Sequence, residues 1–460
     1  MAPTTAEQTL GPVTDLYALT MAASYRALGM HERATFSLFS RKLPEHRSFF
    51  VAAGLDEALR RLERIGFDEP TVDYLVAARH LRRDDAEAIA KTRFTGDVRA
   101  VPEGRIVFPD EPILEVDAPI IEAQLVETIL LNAIHFPTCI ATKAARCVAA
   151  ASGRSLVDFG LRRTAGIEAG LAVARACYLV GFSGTSNVQA GATIGIPVTG
   201  TVAHAFIEAM PNERAAFEAW GRTANDPVTL LVDTYDTVHG VRLAVATAKD
   251  LRARGKRLAA LRLDSGDLDT LSRTARRILD DEGLFDVRLL VSGGLDEYEI
   301  DKLVRAGAPI DGFAVGTRVA MSADAPVLDM AYKIVAYAGR PCLKLSAKKA
   351  TLIGPKQVWR RRNERGQFTE DRIAAADETT PEEGDWEPLL EPVVRDGRVL
   401  AEPSLEDARV RHAADIRALP LELRALDGRG HYRVTRSSTL EARHREAVAA
   451  TRRREGLEET

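Results

Sequence analysis

From Ser155 to Thr317 short apolar runs alternate with helical patterns, and each run closes on a cluster of small polar or charged residues. The closures are Phe159-Gly-Leu-Arg-Arg163, Gly181-Phe-Ser-Gly-Thr-Ser-Asn187, Thr199-Gly-Thr-Val-Ala-His204, Asp233-Thr-Tyr-Asp-Thr237, Arg262-Leu-Asp-Ser-Gly-Asp267, Ser292-Gly-Gly294 and Ala314-Val-Gly-Thr-Arg318. Between them, Val241 to Arg254 carries helical periodicity and stops at Gly255, and Asp269 to Leu279 repeats the design before Gly283. A spacing of roughly 25–30 residues is what βα units require. The fold class is therefore α/β, and parallel strands that end in polar loops mark the catalytic face of a barrel.

The flanks read differently. Thr14 and Asp15 stand where a helix cap belongs, ahead of Leu16, Leu19, Thr20, Ala23 and Tyr25. Ala34 to Phe39 predicts a strand. Between Val98 and Val116, β-rich pieces interrupted by Pro102, Gly104, Pro109 and Pro112 predict a small antiparallel sheet. Ile120 to Asn132 predicts one helix and Ala141 to Ala151 another. Beyond about Leu345 the alternation fades, and a charged stretch from Arg360 to Gly384 leads to a short β and helical tail. Its end, with Arg452, Arg453 and Arg454, is expected to be solvated and frayed.

Composition narrows the partners. At 460 residues and 46% apolar, the chain can fill two or three cores without external staples. A formal charge of −4 and the lack of an aromatic-interleaved basic patch give no support to nucleic acid and favour small molecules. Four cysteines without metal-type or CxxC spacing predict reduced thiols in a cytoplasmic protein and no protein-built metal cage. The opening Met-Ala-Pro-Thr-Thr-Ala-Glu-Gln has no signal-peptide character, and no apolar run approaches ~20 residues, so no membrane association is expected.

Several closures hold candidate chemistry. Arg262-Leu-Asp-Ser-Gly-Asp267 ends a strand and opens a helix, a geometry in which backbone N–H groups and the helix dipole attract anions. Asp264 and Asp267 suit ribose hydroxyls or a Mg²⁺-bridged phosphate, and Arg262 suits a carboxylate or phosphate. The plain alternative is a capped turn with an exposed Arg. Gly293, Gly294, Gly316 and Thr317 end consecutive strands, where glycine admits close backbone approach and Thr adds a hydroxyl; together they read as a phosphate site, singly as turns. His204 closes the run from Ile196 to Ala203 beside Gly200 and Thr201, and is weighed evenly as a nucleophile and as a structural histidine. Of the adjacent Arg162 and Arg163, one can face the site and one solvent, or both can form surface ion pairs. Tyr17 by itself reads as a core aromatic.

Taken in order, Thr14-Asp-Leu-Tyr-Ala-Leu-Thr-Met21, Ile121-Glu-Ala-Gln-Leu-Val-Glu-Thr-Ile-Leu-Leu-Asn132, Ala141-Thr-Lys-Ala-Ala-Arg146, Phe159 to Arg163, Gly184-Thr-Ser-Asn187, Gly200 to His204, Leu231 to Thr237, Arg262 to Asp267 and Phe313 to Thr317 resemble nicotinate phosphoribosyltransferase. The resemblance spans about residues 10 to 345 and is specific as an ordered set. It implies an irregular, TIM-like α/β barrel (131–345), an N-terminal α/β domain (1–130) and a smaller C-terminal region (346–460) packing on that domain. The implied reaction joins nicotinate to 5-phosphoribosyl-1-diphosphate, coupled to ATP hydrolysis through a phosphohistidine, with Mg²⁺ accompanying ATP and the sugar diphosphate. His204 matches the phosphorylated histidine. Tyr17, Thr201 and Arg262 match nicotinate-contacting positions, and Asp264, Gly294 and Thr317 match the region that holds the phosphoribosyl unit. The resemblance also implies a homodimer in which Tyr17 serves the neighbouring subunit.

Ser292-Gly-Gly-Leu-Asp-Glu297 departs from the Ser-x-Asp-Leu-Asp-Glu of relatives, and Ala205 stands where a Ser is common. The competing readings are a nicotinamide-using enzyme, a quinolinate-using enzyme and a catalytically silent barrel acting as a binding module. Ser186 favours nicotinate, because Asp at that position would repel a carboxylate. Quinolinate needs a second cation cluster, and the joint presence of His204, Arg262 and Asp264 speaks against a silent module.

Overall fold

The computed structural model describes residues 9–346, 351–428 and 430–457. The opening octapeptide and the last three residues, on which the reading of a leaderless start and part of the frayed end rested, lie outside the described residues. The chain divides into two compact units, Met1–Cys139 with Val327–Thr460, and Ile140–Pro326. Residues 131–139 and 327–345 thus fall in the first unit.

The first unit is built on a seven-stranded sheet with the order Arg340–Pro341, Met330–Tyr337, Arg33–Ser40, Pro112–Pro119, Asp97–Ala100, Glu391–Arg395 and Arg398–Val399. All its ladders are antiparallel. The strand Arg33–Ser40 is buried at every position after the first, since both faces are covered. Phe36 stacks on Tyr332 with ring centroids 4.8 Å apart, inside a core that includes Leu38, Phe50, Val98, Leu114, Val116 and Leu130. The helix predicted behind Asp15 runs Leu16–Ala27. Asp15 occupies its cap position, but its carboxylate accepts from Thr128 Oγ1 at 3.0 Å rather than from the helix backbone.

Two readings change here for physical reasons. The helix predicted over Ile120 to Asn132 breaks at Val126 into a short helix Ile120–Leu125, and its later part joins the helix predicted over Ala141 to Ala151 in one element, Glu127–Ala151, with Pro137 inside it. Proline removes one backbone hydrogen bond, but Ile134, Cys139, Ile140 and Ala141 on either side are all buried, and packing holds the helix through the break. The charged stretch that begins at Arg360 is built largely of strands: Lys356–Arg362 and Phe368–Ala375 pair antiparallel within a four-stranded sheet. Arg360 and Asp371 face each other across that pair with no exposure, Nε to Oδ1 at 3.0 Å, and the guanidinium lies 4.4 Å from the Phe368 ring centroid. The tail forms the helix Ser438–Arg454, and Arg452 to Arg454 are exposed as expected but stand in its last helical turn.

The second unit holds six parallel strands, β1 (Ser155–Asp158), β2 (Gly184–Thr185), β3 (Val228–Leu231), β4 (Leu258–Leu263), β5 (Arg288–Val291) and β6 (Gly312–Val315), in the order β2-β1-β6-β5-β4-β3. Helices Thr237–Ala253 and Leu268–Asp281 follow β3 and β4, capped by Asp236 and Asp267. The sheet is a half-barrel, open between β2 and β3. The run Ile196 to Ala203, read as a strand, makes only one bridge there: Thr185 N donates to Pro197 O and Thr199 N to Thr185 O, both at 3.0 Å. Pro197 lacks the N–H that would extend a ladder. His204 consequently opens the short helix His204–Glu208 instead of ending a strand. No described helix is long and apolar enough to cross a membrane.

Candidate active site

The C-terminal ends of the parallel strands converge through side chains that bond from one loop to the next. Along β4 the period of two buries Leu261 and Leu263 on one face and turns Arg262 to the other. There Arg262 Nε donates to Ser292 Oγ at 2.8 Å, NH1 to Thr201 Oγ1 at 3.1 Å and NH2 to Asp264 Oδ1 at 2.8 Å. The guanidinium also lies 5.2 Å from the Phe159 ring centroid, behind β1. One side chain thus ties four loops, and its remaining N–H donors are left for a ligand.

Asp264 accepts from Arg262 and from the Ser292 hydroxyl on Oδ1. Burial works to raise its pKa, but the Ser292 bond and the Arg262 charge outweigh burial and hold the carboxyl below its usual range. Oδ2 faces His204 Nε2 at 3.8 Å, and Asp233 Oδ1 lies 4.0 Å from the same nitrogen. The other imidazole nitrogen, Nδ1, is 3.1 Å from Thr234 Oγ1. Asp233 is itself held by Asp264 N at 2.8 Å and Ser265 Oγ at 2.7 Å, both on Oδ2, so its buried Oδ1 has no hydrogen-bond partner. A buried acceptor left unmade costs about 1–3 kcal/mol.

Gly293 has φ +92°, and a Cβ there would meet Asp264 O at 2.0 Å, so this turn presses on β4 backbone to backbone. Gly316 approaches Phe159 O, which a Cβ would meet at 3.2 Å. Gly294, at φ +63°, has open space around it. Ser186 is partly exposed, and its N–H donates to Asp158 O at 2.8 Å. Asp158 is buried, which pushes its pKa up against the bonds from Thr185 and Gly160.

Other candidates are placed less tightly. Asp267 is the cap of its helix, its carboxylate accepting from Thr270 N and Oγ1 at 3.4 and 2.7 Å, which satisfies the plain reading of that turn. Arg162 and Arg163 are both exposed in the 3₁₀ turn Leu161–Arg163, and Thr317 is exposed at the start of Thr317–Ala320. In the first unit, Tyr17 is 46% exposed, and burial together with Glu127 raises its phenol pKa.

Two family models match the chain: the nicotinate phosphoribosyltransferase N-terminal domain over residues 13–135 and the nicotinate phosphoribosyltransferase family over residues 154–340. Nicotinate phosphoribosyltransferase pncB2 of Mycobacterium tuberculosis is 48% identical over 421 residues, 91% of this chain and 89% of that protein. The chain belongs to the nicotinate phosphoribosyltransferase family. The Bacillus subtilis nicotinate phosphoribosyltransferase is 40% identical over 79% of this chain and 76% of its own length. The crystal structure of human nicotinic acid phosphoribosyltransferase superposes with a TM-score of 0.85 at 28% identity, covering 94% of this chain and 99% of that one.

Residue-level reading of this family member missed Asp233, Thr234, Ser292 and Phe159. Asp233 and Thr234 stood in a noted closure and drew no role because nothing local distinguishes them from a turn. Their significance comes from contacts with residues about thirty positions away. The one available signal was an Asp immediately behind the apolar run Leu230-Leu-Val232, where a buried carboxylate is costly without a purpose.

Proposed function

We propose that the chain joins nicotinate to 5-phosphoribosyl-1-diphosphate, releasing diphosphate and nicotinate mononucleotide, with ATP hydrolysis coupled through phosphorylation of His204. This is a salvage step toward NAD. The observation that carries it is the Thr201–Arg262–Asp264–His204 constellation, in which a cation hydrogen-bonded to a hydroxyl and a carboxylate stands with that carboxylate 3.8 Å from an imidazole at one strand end.

Carboxylates at 3.8 and 4.0 Å from Nε2 favour the proton on that nitrogen, leaving Nδ1 as the lone-pair nitrogen beside Thr234. Nδ1 attacks the γ-phosphorus of ATP, the bond to the bridging oxygen breaks, ADP departs, and Asp233 and Asp264 stabilise the charged ring. Arg262 and Thr201 offer donors to the nicotinate carboxylate, and Ser186 leaves that end of the pocket free of negative charge. The Gly293-Gly294 and Gly316-Thr317 turns suit the sugar phosphate. With Gly294 in place of a carboxylate, the ribose hydroxyls depend more on Asp264. The orphaned Asp233 oxygen and Asp264 Oδ2 are hard oxygen ligands of the kind Mg²⁺ accepts when it arrives with phosphates, where it supplies charge neutralisation at the leaving diphosphate. Four free cysteines fit a cytoplasmic setting, and an exposed Tyr17 fits a homodimer that uses it in trans.

The test is product formation from nicotinate, nicotinamide and quinolinate in parallel, each with and without ATP. Nicotinate mononucleotide should form from nicotinate and be stimulated by ATP. Preference for either other base, or no diphosphate release with any, overturns the reading.

A further inference from the structure

β2 is the shortest strand of the half-barrel, two residues at its open edge, and its ladder to β1 has two register pairs, Val157 with Gly184 and Asp158 with Thr185. A ladder that short fixes the path of the chain beyond it only weakly. The loop that leaves β2 carries Ser186, and the loop that leaves β1 carries Phe159 and Arg162. Both depend on more than backbone pairing for their place.

A side chain supplies the rest. Asp158, the last residue of β1, is 2% exposed, where a carboxylate is costly unless its oxygens are bonded. Oδ1 accepts from Gly160 N and Oδ2 from Thr185 Oγ1, both at 2.7 Å, so one group holds the exits of both strands. On the β1 side, the bond turns the chain after Phe159 into the 3₁₀ turn Leu161–Arg163, which Arg163 N closes on Gly160 O at 2.8 Å. The turn is tight: a Cβ on Gly160 would meet Ala320 Cβ at 2.7 Å and Asp158 Oδ1 at 2.9 Å. Phe159, held between Asp158 and Gly160, is the ring that lies 5.2 Å from the Arg262 guanidinium. On the β2 side, the fully buried Thr185 hydroxyl donates to Asp158 and accepts from Asn187 N at 3.0 Å. Asn187, also buried, caps the helix Val188–Ile194 through Ala190 N at 3.2 Å and donates from Nδ2 to Gly170 O at 3.2 Å. Ser186 stands between these anchors, with its own N–H on Asp158 O at 2.8 Å and the next N–H on the Thr185 hydroxyl.

We infer that Asp158 and Thr185 are positioning residues for the aromatic acid: their bond fixes Ser186 against the Phe159–Arg163 turn and so governs affinity for nicotinate, while the turns after β5 and β6 hold the sugar diphosphate. The inference rests on the proposed transfer reaction, and the two fail in different ways. A native protein that makes no nicotinate mononucleotide overturns the reaction, whereas an active native protein lets the variants judge the bridge alone. Thr185→Val keeps the shape and burial of the side chain and removes the hydroxyl that both bonds share. It should raise the KM for nicotinate at least about fivefold, the worth of one net hydrogen bond, with kcat and the KM for 5-phosphoribosyl-1-diphosphate within about twofold of native. Loss of general fold integrity would not separate the two substrates in this way. Thr185→Ser retains the hydroxyl, and Asp158→Asn retains an acceptor for Gly160 N and a donor for Thr185 Oγ1, so each should restore most of the affinity. Should the valine variant not fold, Thr185→Ala removes the same hydroxyl and is read in the same way. An unchanged KM for nicotinate, equal increases in both KM values, or a loss in either conservative variant as large as that in Thr185→Val overturns the assignment.

Discussion

At the scale of single residues, reactivity depends on how few groups around His204 are free. Nδ1 lies beside Thr234 and two carboxylates front Nε2, so under the proposed reading replacing the ring removes the phosphate acceptor while the Arg262 hydrogen bonds, none of which involves His204, stay in place. His204→Ala should therefore lose ATP hydrolysis and ATP stimulation while keeping slow transfer. Acid-labile, base-stable label from γ-labelled ATP should appear on the native protein alone, and equal labelling of the variant would falsify the assignment. Ser186 makes a different prediction, because it presents no charge. A carboxylate placed there meets the nicotinate carboxylate in a partly desolvated pocket, and Ser186→Asp should lower kcat/KM for nicotinate by at least ~100-fold, about 2.7 kcal/mol. Nicotinamide, neutral and an NH₂ donor, should lose far less. An unchanged ratio of the two bases would take Ser186 out of the pocket.

At the scale of elements, buried charge fastens the loops that carry the site. Glu297, wholly buried just past Gly293-Gly294, is bound by Lys143 and by Arg146 Nε at 2.9 Å, while Lys143 also reaches Asp324 at 2.7 Å. Removing one member of such a group leaves uncompensated charge in the interior. Glu297→Ala should lower unfolding stability by on the order of 3 kcal/mol, read as a shifted denaturant midpoint with an unchanged slope. In the first unit, His412 docks the helix Leu405–Ala418 with Nδ1 3.1 Å from Gly104 O. Burial pushes its pKa down from 6.5 to about 4. The folded state therefore binds fewer protons than the unfolded one between those values, so this contribution is full above pH 6.5 and fades as pH falls toward 4. The loss is about 3 kcal/mol at most, and His412→Gln should flatten the pH dependence of stability across that window. An identical pH slope in both proteins would count against the assignment. These elements were partly legible beforehand: Asp236 and Asp267 caps with Gly255 and Gly283 stops are local signals, and the helices between them stand where the pattern placed them.

At the scale of the whole molecule, the open question is whether a site is completed by a second copy. Tyr17 is exposed on the helix Leu16–Ala27 of the first unit, whereas Arg262 sits at the strand ends of the second. If Tyr17 serves a neighbour, Tyr17→Ala and Arg262→Ala homodimers should each be impaired, and mixing them under subunit exchange should restore part of the activity, because one hybrid site is native at both positions. Absence of recovery with hybrids proven present would leave Tyr17 without a role in trans.

The βα alternation, the caps and the polar strand ends were readable from the chain itself, because periodicity and capping are consequences of neighbours a few residues apart. Distant pairing decided the rest. Pro197, beside the single bridge between Val198 and Thr185, turned an expected strand into an open edge, and burial on both sides carried a helix through Pro137. Arg360 read only as the start of a charged stretch, and Asp371, in the adjacent strand, made it an interior residue. Asp233 became a site residue only when β3 and β4 brought Asp264 and Ser265 onto one of its oxygens and left the other facing His204. A single position in sequence carries a residue's charge and propensity, but whether that charge is paired, orphaned or spent on a cap is decided by what the fold places within hydrogen-bond reach.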